Sequence, residues 1–432
     1  MKTKKYVQLL SLILSAAFLL SGCMATPSDP VPDLSSGQTE FSSKTIAPNA
    51  LPDTSLDEPL DPVPDLSSGQ TEFSSETVNP DVSPDTNYDV PSDPVPATPN
   101  VAEDLFGSLS LEEKIAQMFI VRCPQSDAET TISQNQFGGY VMFARDFKNK
   151  TKAQATADIK SYQNAARIPL LIAVDEEGGT VNRVSLYKAF RDTPFMSPQS
   201  LFADGGLPLI KEDTEEKCTL LKSLGINLNL APVCDVSTNS KDYIYRRTFG
   251  QNAIQTAEYI KTVVSTMCEN NMGAALKHFP GYGGNVDTHT GIAVDNRPLS
   301  QFRQSDFLPF KSGIDAGAGV VLVSHNIVTA IEPNRPASLS SAAHRILREE
   351  LGFQGLIMTD DLSMGAIHDY IRGEEAAVMA VLAGNDLLCC TDYKTQYAAV
   401  LKAVKEGKIS EARINESVLR ILQYKFSAGL IA

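Results

Sequence analysis

Basic charge is what this sequence has least of in proportion. It carries 37 Lys and Arg against 52 Asp and Glu, a formal net charge of -15 over 432 residues. Such a surface repels phosphate backbones and argues against nucleic acid as a partner. Cysteine is sparse: of the seven, Cys389 and Cys390 sit together in an apolar run and the rest are scattered. No C-x-x-C or Cys/His spacing suggests zinc, so no metal is expected. Most of the thiols read as small buried hydrophobes. No glycine-rich phosphate loop follows the first strand-like run, which counts against a dinucleotide-binding fold. Tryptophan is absent, and histidine occurs only five times.

Membrane-spanning length is lacking too. The apolar run at 7–20 is too short for a comfortable span. It follows Lys2, Lys4 and Lys5 and ends in Leu20-Ser21-Gly22-Cys23. That is the layout of a secretory signal over residues 1–22. The Leu-Ser-Gly-Cys ending resembles a bacterial lipobox, in which the cysteine is lipidated and becomes the new N-terminus. Lipid on Cys23 would anchor the protein to the outer face of the bacterial membrane. Export removes the cytosolic supply of nucleotide cofactors, so none is expected.

Residues 23–100 lack the apolar content for a core. They are rich in Pro, Ser, Thr and Asp, and the segment 29–43 recurs almost unchanged at 61–75. A fragment of a third copy starts at Ser92. A period of this length can mark a solenoid, but these copies have too little to bury. They read as a disordered, partly polyproline spacer that holds a domain off the membrane. A short binding repeat is the alternative.

The folded domain is expected over 101–432. Ser110 and Glu113 form a capping box ahead of a helical pattern. Short apolar runs then alternate with amphipathic stretches. The runs lie at 118–121, 139–143, 170–174, 226–230, 273–276, 320–323, 356–358 and 386–388, and helical stretches include 153–166, 251–270 and 337–351. This α/β alternation predicts a (β/α)8 TIM-type barrel as a single catalytic domain. A doubly wound open sheet is the alternative. In a barrel, active residues sit at the C-terminal strand ends. Here the runs end in Arg122, Asp175, Asp235, Lys277-His278, Ser324-His325 and Thr359-Asp360-Asp361, which suggests one shared mouth.

One stretch concentrates chemistry. Lys277 and His278 are placed at a strand's end, and Gly281, Gly283 and Pro280 make the following segment a loop. In that loop Asp287 and His289 lie two apart, close enough for the carboxylate to orient the imidazole as a general acid/base pair. Incidental loop polarity is the plainer reading. Asp360, just past a buried strand, can act as a nucleophile at an acetal carbon. Asp361 is left as a helix N-cap.

These motifs resemble family 3 glycoside hydrolases, in the branch of bacterial β-N-acetylhexosaminidases that trim peptidoglycan fragments. The matching stretches run from Leu109 to about Phe426. They are the Asp175-Glu176-Glu177-Gly178-Gly179 segment with Arg183, Asn229 through Asp235, Arg247 to Gly250, Lys277 through His289, and Thr359 to Met364. The resemblance implies Asp360 as nucleophile and His289 as acid/base assisted by Asp287. It implies Asp175, Arg183, Arg247, Lys277 and His278 as residues gripping sugar hydroxyls, with Met364 near the acetamido side. It further implies retention through a covalent glycosyl-enzyme, no metal and no cofactor. Because the chain stops at Ala432, the second α/β domain of some relatives is not expected. Tyr282, Gly284-Asn285 and Thr180 depart from the family pattern, which leaves loop shape and aglycone preference open. The expected function is exo-acting hydrolysis of terminal β-linked N-acetylglucosamine. Alternatives are a β-glucosidase, a phosphorylase, or a sugar-binding lipoprotein without turnover.

Overall fold

The computed structural model describes residues 101–285, 287, 291–371 and 373–431. Cys23, the signal and spacer segments, and His289 lie outside the described residues.

Eight parallel strands form the centre: β1 (Phe119–Arg122), β2 (Gly139–Met142), β3 (Leu171–Val174), β4 (Leu228–Asn229), β5 (Gly273–Phe279), β6 (Val320–Val323), β7 (Leu356–Thr359) and β8 (Leu388–Cys390). Their order is β8-β1-β2-β3-β4-β5-β6-β7, and a parallel bridge between Met358 and Leu387 joins the two outer strands. The ring rules out an open doubly wound sheet. The strands are near-continuous apolar runs because both faces are covered, by barrel interior on one side and helices on the other. On the outside, helix Ala253–Glu269 buries Tyr259, Ile260, Val263, Val264 and Met267, a stripe at helical spacing. Phe279, fully buried, packs between Phe307 and Phe310 with centroid distances of 5.7 and 5.2 Å. Truncating such a ring to Ala typically costs about 3–5 kcal/mol.

The capping box forms as expected, with Ser110 and Glu113 satisfying each other's backbone N–H. Three expectations need correction. The run 226–230 yields only two ladder residues in β4, because asparagine side chains take over the pairing. Asn227 bonds Ile172 N–H at 2.9 Å and Leu170 C=O at 2.9 Å, and Asn229 bonds Glu176 N–H and C=O at 3.0 and 3.1 Å. The helix expected over 337–351 is broken. Ser340, in extended conformation, ends the 3-10 turn Ala337–Leu339 and caps Ser341–Arg345, whose last turns widen into a π-helix over Ile346–Glu350. Lys277 and His278 lie inside β5 rather than at its end, since the strand runs on to Phe279.

At the N-terminal end of the barrel, helix Glu411–Ser427 buries Lys425 completely. Its ammonium donates to Gln117 Oε1 at 2.9 Å. Burial pushes the Lys425 amine down to about 7.

Candidate active site

The C-terminal strand ends surround a cavity of about 530 Å³. Arg122, Asp175, Glu177, Arg183, Arg247, Lys277, His278, Asp360, Asp361 and Met364 all line it. The segment after β3 explains three of these. Asp175, Glu176 and Glu177 alternate in direction, as residues leaving a strand do. Glu176 points into the protein and is fully buried. It accepts from the backbone N–H of Arg183 and Val184, both at 2.8 Å, and of Ser185 at 3.1 Å. That fold-back sets Arg183 on the cavity wall. Asp175 and Glu177 face the cavity.

Glu177 was not singled out by the sequence reading, yet it organises the cationic side chains. Lys277 Nζ lies 2.7 Å from Asp175 Oδ1 and 2.6 Å from Glu177 Oε1. Arg247 donates from Nη2 and Nε to the two Glu177 oxygens, at 2.7 and 3.0 Å. Burial alone would raise the Glu177 carboxyl, but Arg247 and Lys277 outweigh it and hold it well below the usual carboxylate range. Burial likewise opposes the charge on Lys277, and Asp175 and Glu177 reverse this and hold its amine above the usual value. The signal that could have found Glu177 is the period-2 alternation, which places it on the same side as Asp175.

The network continues to His278. Asp235 Oδ2 lies 2.7 Å from His278 Nδ1, and Arg247 Nη2 lies 3.1 Å from Nε2. With Nδ1–H donating to Asp235, Nε2 is left to accept from Arg247. Asp235 Oδ1 also accepts from Tyr282 N–H at 2.7 Å. Asp235 is fully buried and does not line the cavity, so it orients the histidine from behind. His325 is likewise off the cavity wall: its ring bonds Ser338 Oγ at 2.7 Å and Asp361 C=O at 3.0 Å. The expectation that all six polar strand ends share one mouth is corrected for these two.

Asp360 follows β7 and lines the cavity, and its Oδ1 accepts from Asp361 N–H at 2.9 Å. Asp361 does not cap a helix, contrary to expectation. Its carboxylate accepts from Ser363 N–H at 2.9 Å and Thr391 Oγ1 at 2.7 Å. The following helix, Gly365–Tyr370, starts later, with Met364 at its N-cap position.

The loop after β5 is held from below. Arg297 donates to both Asp295 and Asp306 through paired bonds of 2.8–3.2 Å. A side chain at Gly281 would strike Asp306, and one at Gly283 would strike Arg297. Both glycines also have positive φ, 124° and 57°, so the loop can cross this ion cluster only with glycine there. Asp287, in this loop, is half-buried. Tyr243, a lining residue the sequence reading missed, lies within electrostatic reach of it. Burial, the Asp287 carboxylate and the charge on Asp360 push the Tyr243 phenol up.

All six described cysteines are free, and five are buried. Among the described residues no cluster of His, Cys, Asp and Glu is placed to hold a metal ion. Nor is any helix among them long and apolar enough to cross a membrane.

Residues 110–424 match the family described as glycosyl hydrolase family 3 N terminal domain. A β-hexosaminidase of Nitrosomonas eutropha is 35% identical over 269 residues, covering 60% of this chain and 76% of that protein. One from Xanthomonas campestris is 34% identical over 241 residues, covering 54% and 71%. A solved family 3 β-N-acetylglucosaminidase from a Paenibacillus species superposes with a TM-score of 0.70 at 32% identity. That match covers 75% of this chain and 63% of the Paenibacillus chain. With the family match spanning the whole barrel, the chain belongs to glycosyl hydrolase family 3.

Proposed function

We propose that this glycoside hydrolase is an exo-acting, retaining β-N-acetylhexosaminidase that removes terminal β-linked N-acetylglucosamine. The observation that carries the reading is the joining, in one cavity, of Asp360 with the network Asp175–Lys277–Glu177–Arg247–His278. Such a network offers rigid charged donors and acceptors to hydroxyl groups. The names of the β-hexosaminidase relatives and of the Paenibacillus enzyme favour the N-acetylated sugar.

The chemistry follows from the side chains. Asp360 attacks C1, and the bond from C1 to the leaving oxygen breaks as that oxygen takes a proton from His289. In the second step His289 removes a proton from water, the water oxygen attacks C1, and the Asp360 carboxylate departs. Most retaining glycosidases use a carboxylic acid for the proton transfers. An imidazole with an ordinary pKa near about 6.5 does the same work close to neutrality. Asp287 orients and charges the ring. Asp175, Arg183, Arg247, Lys277 and His278 hold the sugar, and Met364 faces the acetamido side.

The substrate proposed is N-acetylglucosamine linked to N-acetylmuramic acid in cell-wall fragments. The setting proposed is the outer face of the membrane, with lipid on Cys23 and residues 23–100 as spacer. The test compares aryl β-N-acetylglucosaminide with aryl β-glucoside, with and without phosphate. Preference for the acetamido sugar and indifference to phosphate is expected. Preference for the glucoside, or turnover that requires phosphate, would overturn the reading.

A further inference from the structure

Buried charge is concentrated beneath the segment that leaves β5. Arg297 sits between Asp295 and Asp306, whose side chains are only 4% and 1% exposed. Its guanidinium also lies 4.2 Å from the centre of the buried Phe302 ring. Each carboxylate belongs to a different part of the wall. Asp295 ends the short strand Val294–Asp295, which pairs in parallel with Ile327–Val328. Asp306 immediately precedes helix Phe307–Asp315, whose Phe307 and Phe310 pack on Phe279 of β5. Burying two carboxylates and one guanidinium is a poor source of stability, because desolvation offsets the attraction. What such a cluster does supply is fixed geometry, since forked charge-assisted bonds have direction and apolar packing has little.

The segment 281–285 is fitted to that cluster. Gly281 runs against Asp306 and Gly283 against Arg297, each too closely for a side chain. Asn285 donates its amide to Asp295 Oδ2 at 3.1 Å and to Tyr282 C=O at 2.8 Å. Tyr282 N–H donates to one oxygen of Asp235, whose other oxygen meets His278. Four of these five residues are thus held by side chains from elsewhere in the barrel. The chain reaches Asp287 two residues after the last of them. Asn285, Asp295, Arg297 and Asp306 do not line the cavity, so any part they take in the reaction is through the loop.

We propose that Arg297, clamped by Asp295 and Asp306, is a positioning residue for catalysis. With Asn285 it sets where the segment running to Asp287 stands, and so the place from which that loop delivers a proton to the leaving oxygen; this rests on the proposed reading of the loop as the source of the acid/base. A displacement of about 1 Å at a reacting group can cost about 10²-fold in rate. The groups that hold the sugar are fixed by their own ion pairs on β3 to β5. Loosening the clamp therefore spares binding and slows proton transfer.

Leaving-group dependence is the readout, because protonation matters only where the departing oxygen is basic. Asn285→Ala removes one tie and leaves the ion cluster paired, so it should keep the parent's thermal midpoint. It should lower kcat/KM for the N-acetylglucosamine disaccharide by about tenfold, and that for the dinitrophenyl glycoside by less than about threefold. Azide should raise its kcat on the dinitrophenyl glycoside. Arg297→Met leaves two buried carboxylates unpaired; where it folds, the same selectivity should grow toward the about 10²–10⁴-fold that an acid/base contributes. Arg297→Lys, which keeps the charge without the forks, should fall between. Equal losses on the two substrates, or an unchanged kcat/KM for the disaccharide in Asn285→Ala, would overturn the clamp as a positioning device. His289→Ala tests the underlying reading separately. If its losses do not depend on the leaving group, His289 is not the proton donor. A selective loss in Asn285→Ala then still upholds the clamp, acting on another donor of the loop, and an unselective one overturns it.

Discussion

Glu177 grips Arg247 through both of its carboxylate oxygens, at 2.7 and 3.0 Å, in a site where the acid side chain is only 3% exposed. The same carboxylate meets Lys277, so one acidic residue fixes two cations on the cavity wall. Replacing it with Gln leaves both cations short of a partner in a dry setting. Glu177→Gln should cost about 3 kcal/mol of stability at neutral pH. The sign of the pH effect follows from its depressed pKa. The stabilisation is fully present above the ordinary carboxylate pKa and is lost as pH falls toward the folded value. Urea titrations at pH 7 and pH 4 should show the parent losing more stability than Glu177→Gln between them. Parallel losses would mean that Glu177 does not carry this charge.

Lys425 predicts a slope of the same sign in a higher pH window. Its amine is depressed to about 7 by burial, against about 10.4 in an unfolded chain. Between these values the unfolded state binds the proton and the folded state does not, so stability rises with pH across that window. Below about pH 7 both states are charged and the full penalty applies. Lys425→Met removes a cost of a few kcal/mol and strands Gln117 Oε1, for a net gain of about 1–3 kcal/mol at pH 7. Thermal or urea unfolding at pH 7 and pH 9.5 is the check. The gain should shrink at the higher pH. Equal destabilisation at both would mean Lys425 acts through its packing.

How much of this could be read beforehand depends on what kind of pattern each element leaves. The eight strands were legible because parallel strands covered on both faces are unbroken apolar runs, and the run 320–323 matches β6 residue for residue. Asp175 and Asp360 were legible as cavity residues because strand ends mark the mouth of a barrel, and Lys277 and His278 because they lie in the last turns of the pleat before the end of β5. Partner choice was not legible. Nothing in the sequence says that Glu176 turns inward to hold Arg183 while Glu177 meets Arg247, seventy residues away, except their alternation. The short β4 was hidden because Asn227 and Asn229 act as backbone substitutes, which a hydropathy pattern cannot register. The break at Ser340 was overlooked although serine is a favoured N-cap. Asp361 was read as a cap from its neighbours in sequence, whereas Thr391, thirty residues on, holds one of its oxygens.

The proposed anchor has its own test. Cys23→Ala should leave the protein uncleaved at that point or released without lipid. Detergent partitioning of membrane fractions measures this. Equal retention of both forms would remove lipidation from the account.

The division of labour between Asp360 and His289 separates the two chemical steps. Asp360→Ala should abolish turnover of every substrate. His289→Ala should slow a poor leaving group by about 10²–10⁴-fold, while a dinitrophenyl glycoside still forms the covalent intermediate. Azide, which needs no base, should then speed its release.

The most direct measurement is the mass of His289→Ala enzyme quenched during turnover of dinitrophenyl β-N-acetylglucosaminide, followed by mapping of the modified peptide. The account predicts one N-acetylhexosaminyl adduct, on Asp360, that disappears when azide is added. An adduct on another residue, or none under conditions where a burst of dinitrophenol is seen, would contradict it.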